Sequence, residues 1–391
     1  MPKKIAITGS EDILLAAKHL TDFEFVAVTG DVAKSLGDMD IPNKFLGSFI
    51  SENMQAQSMS DAAMLSLGIL QQVPEAKKRL HPRVQEKFTQ VMPGFLMNNL
   101  PQLALLVGAL DVANVDGAIL HNDVEPLTRT IALWCKARGK PCYHIPHAIY
   151  LDHGGRGAPG SDIHDMVTAS HLAAGGMFQR NWYVERGFPV DHIGITGVPR
   201  FDRITKLPQN RERAGVLLKL NTKKPTVVYF SSWSQQTNLL GCNDEMEESY
   251  LAFLDAVKGT EDVEVIVKCH PRGQNIDWHI KKAQEKDVRA IVTAKYLDVI
   301  MQVMTVGISY GPSNVILESS MLNHRLASVG GFVADPEIMT MEPTAQSIRQ
   351  GIMTLMANPI PNYTNFWLKY LGIPDGQAAI RVASYAREVF K

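Results

Sequence analysis

The sequence predicts an α/β protein of two doubly wound halves, and three observations carry that expectation. Short β-branched runs alternate with amphipathic helical ones from end to end, as parallel sheets covered on both faces require. The chain has 391 residues, enough for two domains that each bury a core. The alternation is interrupted once, between Ile204 and Pro225, by the polar and basic run KLPQNRERAGVLLKLNTKKP, and then restarts.

In the first half, Lys4–Thr8 and Phe23–Val28 read as strands, followed by a Met- and Ser-rich region from Ser51 to Ala63 and helices to about Ala113. Asp116–Leu120 reads as a strand, Leu127–Arg138 as a helix and Cys142–Ile145 as a strand. Two more strands are expected near Met166–Ala169 and His192–Thr196, separated by the helix Met177–Arg186. After the polar run come strand Val227–Phe230, helix Glu247–Val257, strand Val263–Val267, helix Ile276–Glu285, strand Ala290–Val292 and helix Tyr296–Val303. The second half closes with strand Val306–Ser309, a helix from Ser313, a strand near Leu326–Val329 and helices from Thr344 onward. The expected division is a first domain 1–205, a linker 206–224 acting as hinge, a second domain 225–364 and C-terminal helices 365–391.

Composition narrows the classes of function. With 45% hydrophobic and 20% charged residues the chain reads as soluble and globular. Lys and Arg number 39 against 40 Asp and Glu, so no global field gathers DNA or anionic membrane, although a local basic patch and a peripheral membrane contact stay open. The start MPKKIAITGS lacks the apolar region of a signal peptide. The most apolar stretch, Leu100–Leu110, is broken by Pro101, Gln102 and Gly108, short of the roughly 18 residues that crossing a bilayer needs. Cys135, Cys142, Cys242 and Cys269 are scattered, with no metal-ligand spacing, which fits a reducing cytoplasm. No metal or resident cofactor is expected: TGS at Thr8–Ser10 is not a GxGxxG fingerprint, and no P-loop, GxSxG elbow or HExxH occurs.

Three segments are suited to chemistry. In GISYGPSNVILESSMLNHRLASVGG, from Gly307 to Gly331, a strand ends at Gly311-Pro312 and a helix starts at once, capped by Ser313 or Asn314. Such a helix start offers free N–H groups to a phosphate, and Glu318, one turn on, can reach a sugar or ribose hydroxyl; a well-capped helix without ligand is the plainer alternative. In VEVIVKCHPRG, His270 and Arg272 follow a strand whose C-terminal end is where ligands bind in an open parallel sheet, and both can hold phosphoryl oxygens. IGITGVPRFD, from Ile193 to Asp202, is a strand, a tight turn and a helix start, with Asp202 capping or pairing locally.

In that order, TGVPRFD, KCHPRG and SYGPSNVILESSMLNHRLASV resemble the blocks of bacterial surface-polymer transferases: CDP-glycerol glycerophosphotransferases and the sialyl- and capsule-type glycosyltransferases. The tail IPDGQAAIRVA resembles their DG-x-A-x-x-R ending. The resemblance implies GT-B architecture, two Rossmann-like doubly wound domains facing a central cleft, with the last helix crossing back onto the first domain. It implies a glycosyltransferase with a nucleotide-sugar donor and a glycan, polymer or small-molecule acceptor. DNA, as in viral base glycosyltransferases, is a less favoured acceptor. Glu318 has Tyr310 eight positions before it and Leu326 eight after, so the paired-glutamate block of the commonest retaining enzymes is missing and inversion is expected.

The resemblance suggests His147 as acceptor base, the nearest counterpart of a Trp-His-Gly-Thr histidine, with Asp152 and His153 as rivals. Asp123 and Glu125, in LHNDVEP, are similar in place to the Gly-Asp-Thr segment of UDP-N-acetylglucosamine 2-epimerases, whose acids act on the sugar ring; capping of the next helix by Asp123 is the plainer account. Ser231, Ser232 and Trp233 follow the first strand of the second half, where hydroxyls can bond donor phosphate and an indole can stack. The epimerases have the same two halves, but the histidine- and glutamate-rich blocks associated with them are not evident around His270.

Overall fold

Runs such as GAIL, TVVYF and VGISY are buried at every residue, as strands inside a covered parallel sheet must be. The computed structural model describes residues 2–78, 82–146, 151, 168–231, 243–270, 276–310, 313–330, 333 and 335–391. The first domain runs β1 (Lys3–Ile7), α1 (Glu11–Ala17), β2 (Phe23–Ala27), α2 (Gly30–Asp38), β3 (Asn43–Phe45), α3 (Glu52–Lys78) and α4 (Pro82–Ala113). It continues with β4 (Gly117–Leu120), α5 (Pro126–Ala137), β5 (Cys142–His144), β6 (His171–Ala174), α6 (Met177–Glu185) and β7 (Ile193–Ile195). A 3-10 helix, Pro199–Lys206, leads out of it.

The second domain runs α7 (Arg211–Leu218), β8 (Thr226–Phe230), α8 (Asn243–Val257), β9 (Glu264–Lys268), α9 (Ile276–Glu285), β10 (Ile291–Thr293) and α10 (Leu297–Val303). Then come β11 (Val306–Tyr310), α11 (Asn314–Met321), β12 (Arg325–Val329), β13 (Met339–Met341), α12 (Ala345–Ala357), α13 (Thr364–Tyr370) and α14 (Ala378–Val389). Strand order is β3-β2-β1-β4-β5-β6-β7 in one sheet and β10-β9-β8-β11-β12-β13 in the other. All pairings are parallel. Each order reverses once, between β1 and β4 and between β8 and β11, and a ligand crevice forms at such switch points.

The tail unites the halves. Tyr363, Phe366 and Tyr370 join the core of the second domain, while Val382, Ala383 and Ala386 of α14 and Phe390 just after it bury against Ile5, Ile7 and Ile13 of the first. The chain crosses so closely at Gly176 that a Cβ there would lie 2.5 Å from the Lys369 carbonyl.

The structure departs from the sequence reading in four places. Of the strand expected at Met166–Ala169, Met166 and Val167 lie outside the described residues and Thr168 and Ala169 are not in a strand; the strand between β5 and β7 is His171–Ala174. The three-residue edge strands β3 and β13 were not expected. Where the sequence suggested a polar linker over 206–224, α7 forms, with Ala214 and Leu218 buried beside Ile300 and Met304. Arg211 holds it there, donating to the carbonyls of Thr222 (3.2 Å) and Lys224 (2.7 Å) and to that of Val303. Finally, within α4 the stretch Met92–Ala113 is long and apolar enough, by length and composition, to cross a membrane, because Pro101 and Gly108 do not interrupt the helix; its last residues are instead rooted in the core under the first sheet.

Candidate functional site

In the first domain the switch point is tied by Thr8, whose N–H donates to the Ile119 carbonyl at 3.1 Å. The Thr8 hydroxyl accepts from the His121 N–H at 3.1 Å and lies 2.9 Å from His121 Nδ1. The same hydroxyl also donates to the Ile119 carbonyl at 3.4 Å, and His121 Nε2 lies 3.8 Å from Glu125 Oε2. His144, ending β5 next door, faces the His121 carbonyl through Nε2 at 3.3 Å.

Asp123 is not the cap the sequence suggested. The N-cap of the next helix is Glu125, and Asn122 ties the turn before it, its Oδ1 accepting from the N–H groups of Val124 and Glu125, each at 3.2 Å, and from the Thr128 hydroxyl at 2.6 Å. Asp123 turns inward and is fully buried; one carboxylate oxygen accepts from the Thr168 N–H, and the other has no hydrogen-bond partner among the described residues. Burial pushes its pKa above the ordinary carboxylate value, opposed by the backbone N–H groups of Thr168 and Ala169 and by the charge of Arg129. A buried acid of this kind can give or take a proton at the C-terminal edge of the sheet. His147 and Asp152 lie outside the described residues, as does His153.

In the second domain the Ser313 hydroxyl accepts from the Val315 N–H at 3.4 Å, capping α11, with Asn314 as its first residue. His270 follows β9, half-buried, and the order β9-β8-β11 sets the ends of β9 and β11 two strand spacings apart, about 10 Å. That span suits a phosphate group held from both sides. Ser231, directly after β8 between them, lies 3.0 Å from His279 Nε2 through its hydroxyl. Beneath the site, buried Lys268 donates to the carbonyls of Cys269 (2.8 Å) and Ala294 (3.0 Å), and burial lowers its pKa. Burial also pushes the Cys269 thiol up to about 11, which leaves it inert as a nucleophile. Arg272, Ser232, Trp233 and Gly311 lie outside the described residues.

Between the domains lies a charge cluster that sequence reasoning missed apart from Glu318. The 3-10 helix Pro199–Lys206 packs on α1 and α14 of one domain and on α11 of the other. Its three residues per turn set Arg200 and Arg203 on one face. Arg200 pairs with buried Asp12 of α1 at 3.1 Å and also gives it a backbone N–H at 2.8 Å. Arg203 pairs with Asp298 of α10 and reaches Glu318 Oε2 at 3.4 Å. Burial raises the pKa of Glu318 to about 7; Arg203 and Arg200 oppose the shift, and Asp298 and Glu11 add to it. The only signal was the repeated arginine of PRFDR, and its partners are remote in sequence.

The two-domain architecture is shared along its whole length with solved structures. The fold is the GT-B-like fold seen in UDP-N-acetylglucosamine 2-epimerases. The Staphylococcus aureus MnaA–UDP co-structure superposes with a TM-score of 0.61 at 12% identity, covering 99% of this chain and 96% of that one. The UDP-GlcNAc 2-epimerase of Neisseria meningitidis bound to UDP-GlcNAc gives 0.58 at 12% identity, with 99% of each chain covered. That of Methanocaldococcus jannaschii gives 0.56 at 11%, covering 98% and 100%. Neither a protein-family model nor a curated protein matches the sequence.

Proposed function

We propose that the protein is an enzyme acting on a nucleotide-activated sugar, and that it performs proton chemistry on the sugar ring in the manner of a 2-epimerase. The observation that carries the reading is Asp123, a buried acid with a raised pKa at the first sheet's switch point, in the half opposite a helix start suited to phosphate. In this reading His270, Arg272 and the start of α11, with Ser313 and Asn314 behind Gly311, hold the diphosphate, and Ser232 adds a hydroxyl. Glu318 receives a ribose hydroxyl once Arg203 yields it. Asp123 then works at the sugar, with His147 and Asp152 as its partners for the second proton. Full-length similarity to structures described as binding UDP or UDP-GlcNAc supports the choice of nucleotide.

The test is incubation with UDP-N-acetylglucosamine in deuterium oxide without acceptor, followed by proton NMR. Loss of the C2 proton signal with appearance of the C2 epimer is the expected result. Group transfer, including the CDP-glycerol type, is the second reading, favoured by the TGVPRFD and KCHPRG blocks. An inert sugar nucleotide that is consumed only when an acceptor alcohol is added would replace the first reading with it. Both reactions are assigned to the cytoplasm, and neither needs a metal or a resident cofactor.

A further inference from the structure

α3 and α4 form a hairpin that, among the described side chains, is buried at Ser58 and Ala62 on α3 and at Leu96, Leu106, Ala109, Leu110 and Ala113 on α4. Between these positions the two helices keep large apolar side chains in water. Met59 is 61% exposed, Met64 72%, Leu67 61% and Met97 75%. On α3 these recur at Met59, Ala63, Leu67 and Leu70, three or four residues apart and therefore on one face. Neither flank carries a charge, from Ala62 to Pro74 or from Phe88 to Leu110. Charge appears instead where α3 ends and α4 begins: the sequence from Glu75 to Lys87 holds Lys77, Lys78, Arg79, Arg83 and Lys87 against Glu75 and Glu86.

An exposed apolar helix face next to a basic cluster matches the two terms of interfacial binding, burial of side chains at the acyl boundary and attraction to anionic headgroups. We propose that this hairpin seats the protein on the surface of an anionic lipid bilayer, lying along the interface with its basic end at the headgroups. A second copy is the less favoured occupant, since it brings nothing that neutralises the excess of Lys and Arg between Glu75 and Lys87, whereas an anionic surface does. The hairpin does not span, because the end of α4 is built into the first domain's core. The inference is independent of the chemistry assigned to the cleft.

The experiment is flotation of the full chain with vesicles of phosphatidylglycerol and phosphatidylcholine, and with vesicles of phosphatidylcholine alone. The protein should float with the anionic vesicles far more than with the neutral ones. Lys77→Ala with Lys78→Ala should weaken that binding by about thirtyfold, at about tenfold per 1.4 kcal/mol and about 1 kcal/mol per cation. Leu67→Glu with Leu70→Glu should abolish it while leaving the melting temperature unchanged, because both side chains are exposed in the folded chain. A wild-type chain that stays with the soluble fraction overturns the proposal, as does undiminished flotation of the Leu67→Glu, Leu70→Glu chain. Light scattering that shows a dimer broken by those two substitutions, with no vesicle binding, gives the face to a second copy.

Discussion

Glu318 and Asp123 are legible in the sequence as acids beside strand ends, but what surrounds them is not. Desolvation is a property of the packed chain, and the Asp12–Arg200 pair joins positions 188 residues apart. The consequence for Glu318 can be worked out with its sign. Its pKa rises from 4.5 to about 7, so the folded state binds the proton more tightly than the unfolded one. Stability from this group is therefore greatest below about pH 4.5, falls as pH rises to about 7, and is level above. The shift corresponds to about 3 kcal/mol at most. Glu318→Gln should match the wild type in thermal melts near pH 5 and exceed it in melting temperature near pH 8; equal melting at both would show that the carboxylate ionises without cost. Asp123→Asn keeps the shape and removes the buried charge, so it should fold at least as stably at pH 7. Its turnover should fall about a hundredfold or more, the usual worth of acid–base assistance, with nucleotide affinity nearly unchanged. A fully active Asp123→Asn enzyme would move the proton chemistry to His147 or Asp152.

At the scale of elements, strands with an apolar run are legible even at three residues, as β5, β7 and β10 are, whereas the edge strands β3 and β13 are not. NKF and MTM carry no apolar run of their own and exist because a parallel neighbour supplies their ladder. β6 was placed too early because HLAA carries no β-branched residue, and pairing with β5 and β7 decides its position. α7 reads as polar in sequence because its buried face is only Ala214, Gly215 and Leu218. The blocks TGVPRFD and DG-x-A-x-x-R were both visible as motifs, but their relation was not: they lock together. Gly197 adopts a positive φ of 78° to make the turn, and Asp202 accepts from the N–H groups of Ala378 and Ala379, each at 2.9 Å, capping α14 from far along the chain. Arg381 returns the contact, donating to the Thr196 carbonyl at 2.9 Å while it holds Asp375 bidentately. Asp202→Ala should accordingly cost about 1–2 kcal/mol in denaturant unfolding, as loss of a helix cap does, with no change in the chemistry of the cleft. An unchanged unfolding midpoint would mean that α14 does not depend on this cap.

For the molecule as a whole, the sequence correctly suggested two halves but put their joint at the polar run 206–224. α7 is packed into the second domain there, so the segment that faces both domains is the preceding 3-10 helix, Pro199–Lys206. Any closing motion must turn about this helix and α13–α14, the other crossing. Arg203 then matters twice: it lies on the turning segment, and it holds Asp298 and Glu318, which belong to the second domain. In the proposed reading, a nucleotide whose ribose bonds the Glu318 carboxylate competes with that guanidinium. Binding and rearrangement of the joint would then be coupled, and ligand can shift the domain arrangement only by as much as it prefers one arrangement to the other. Adding UDP should reduce the radius of gyration measured by small-angle scattering. Arg203→Ala, which removes the competing partner of Glu318, should bring the ligand-free chain part of the way to the same curve. Superposable wild-type curves with and without saturating UDP would show that the halves are already held in their bound arrangement by the 3-10 helix and the tail.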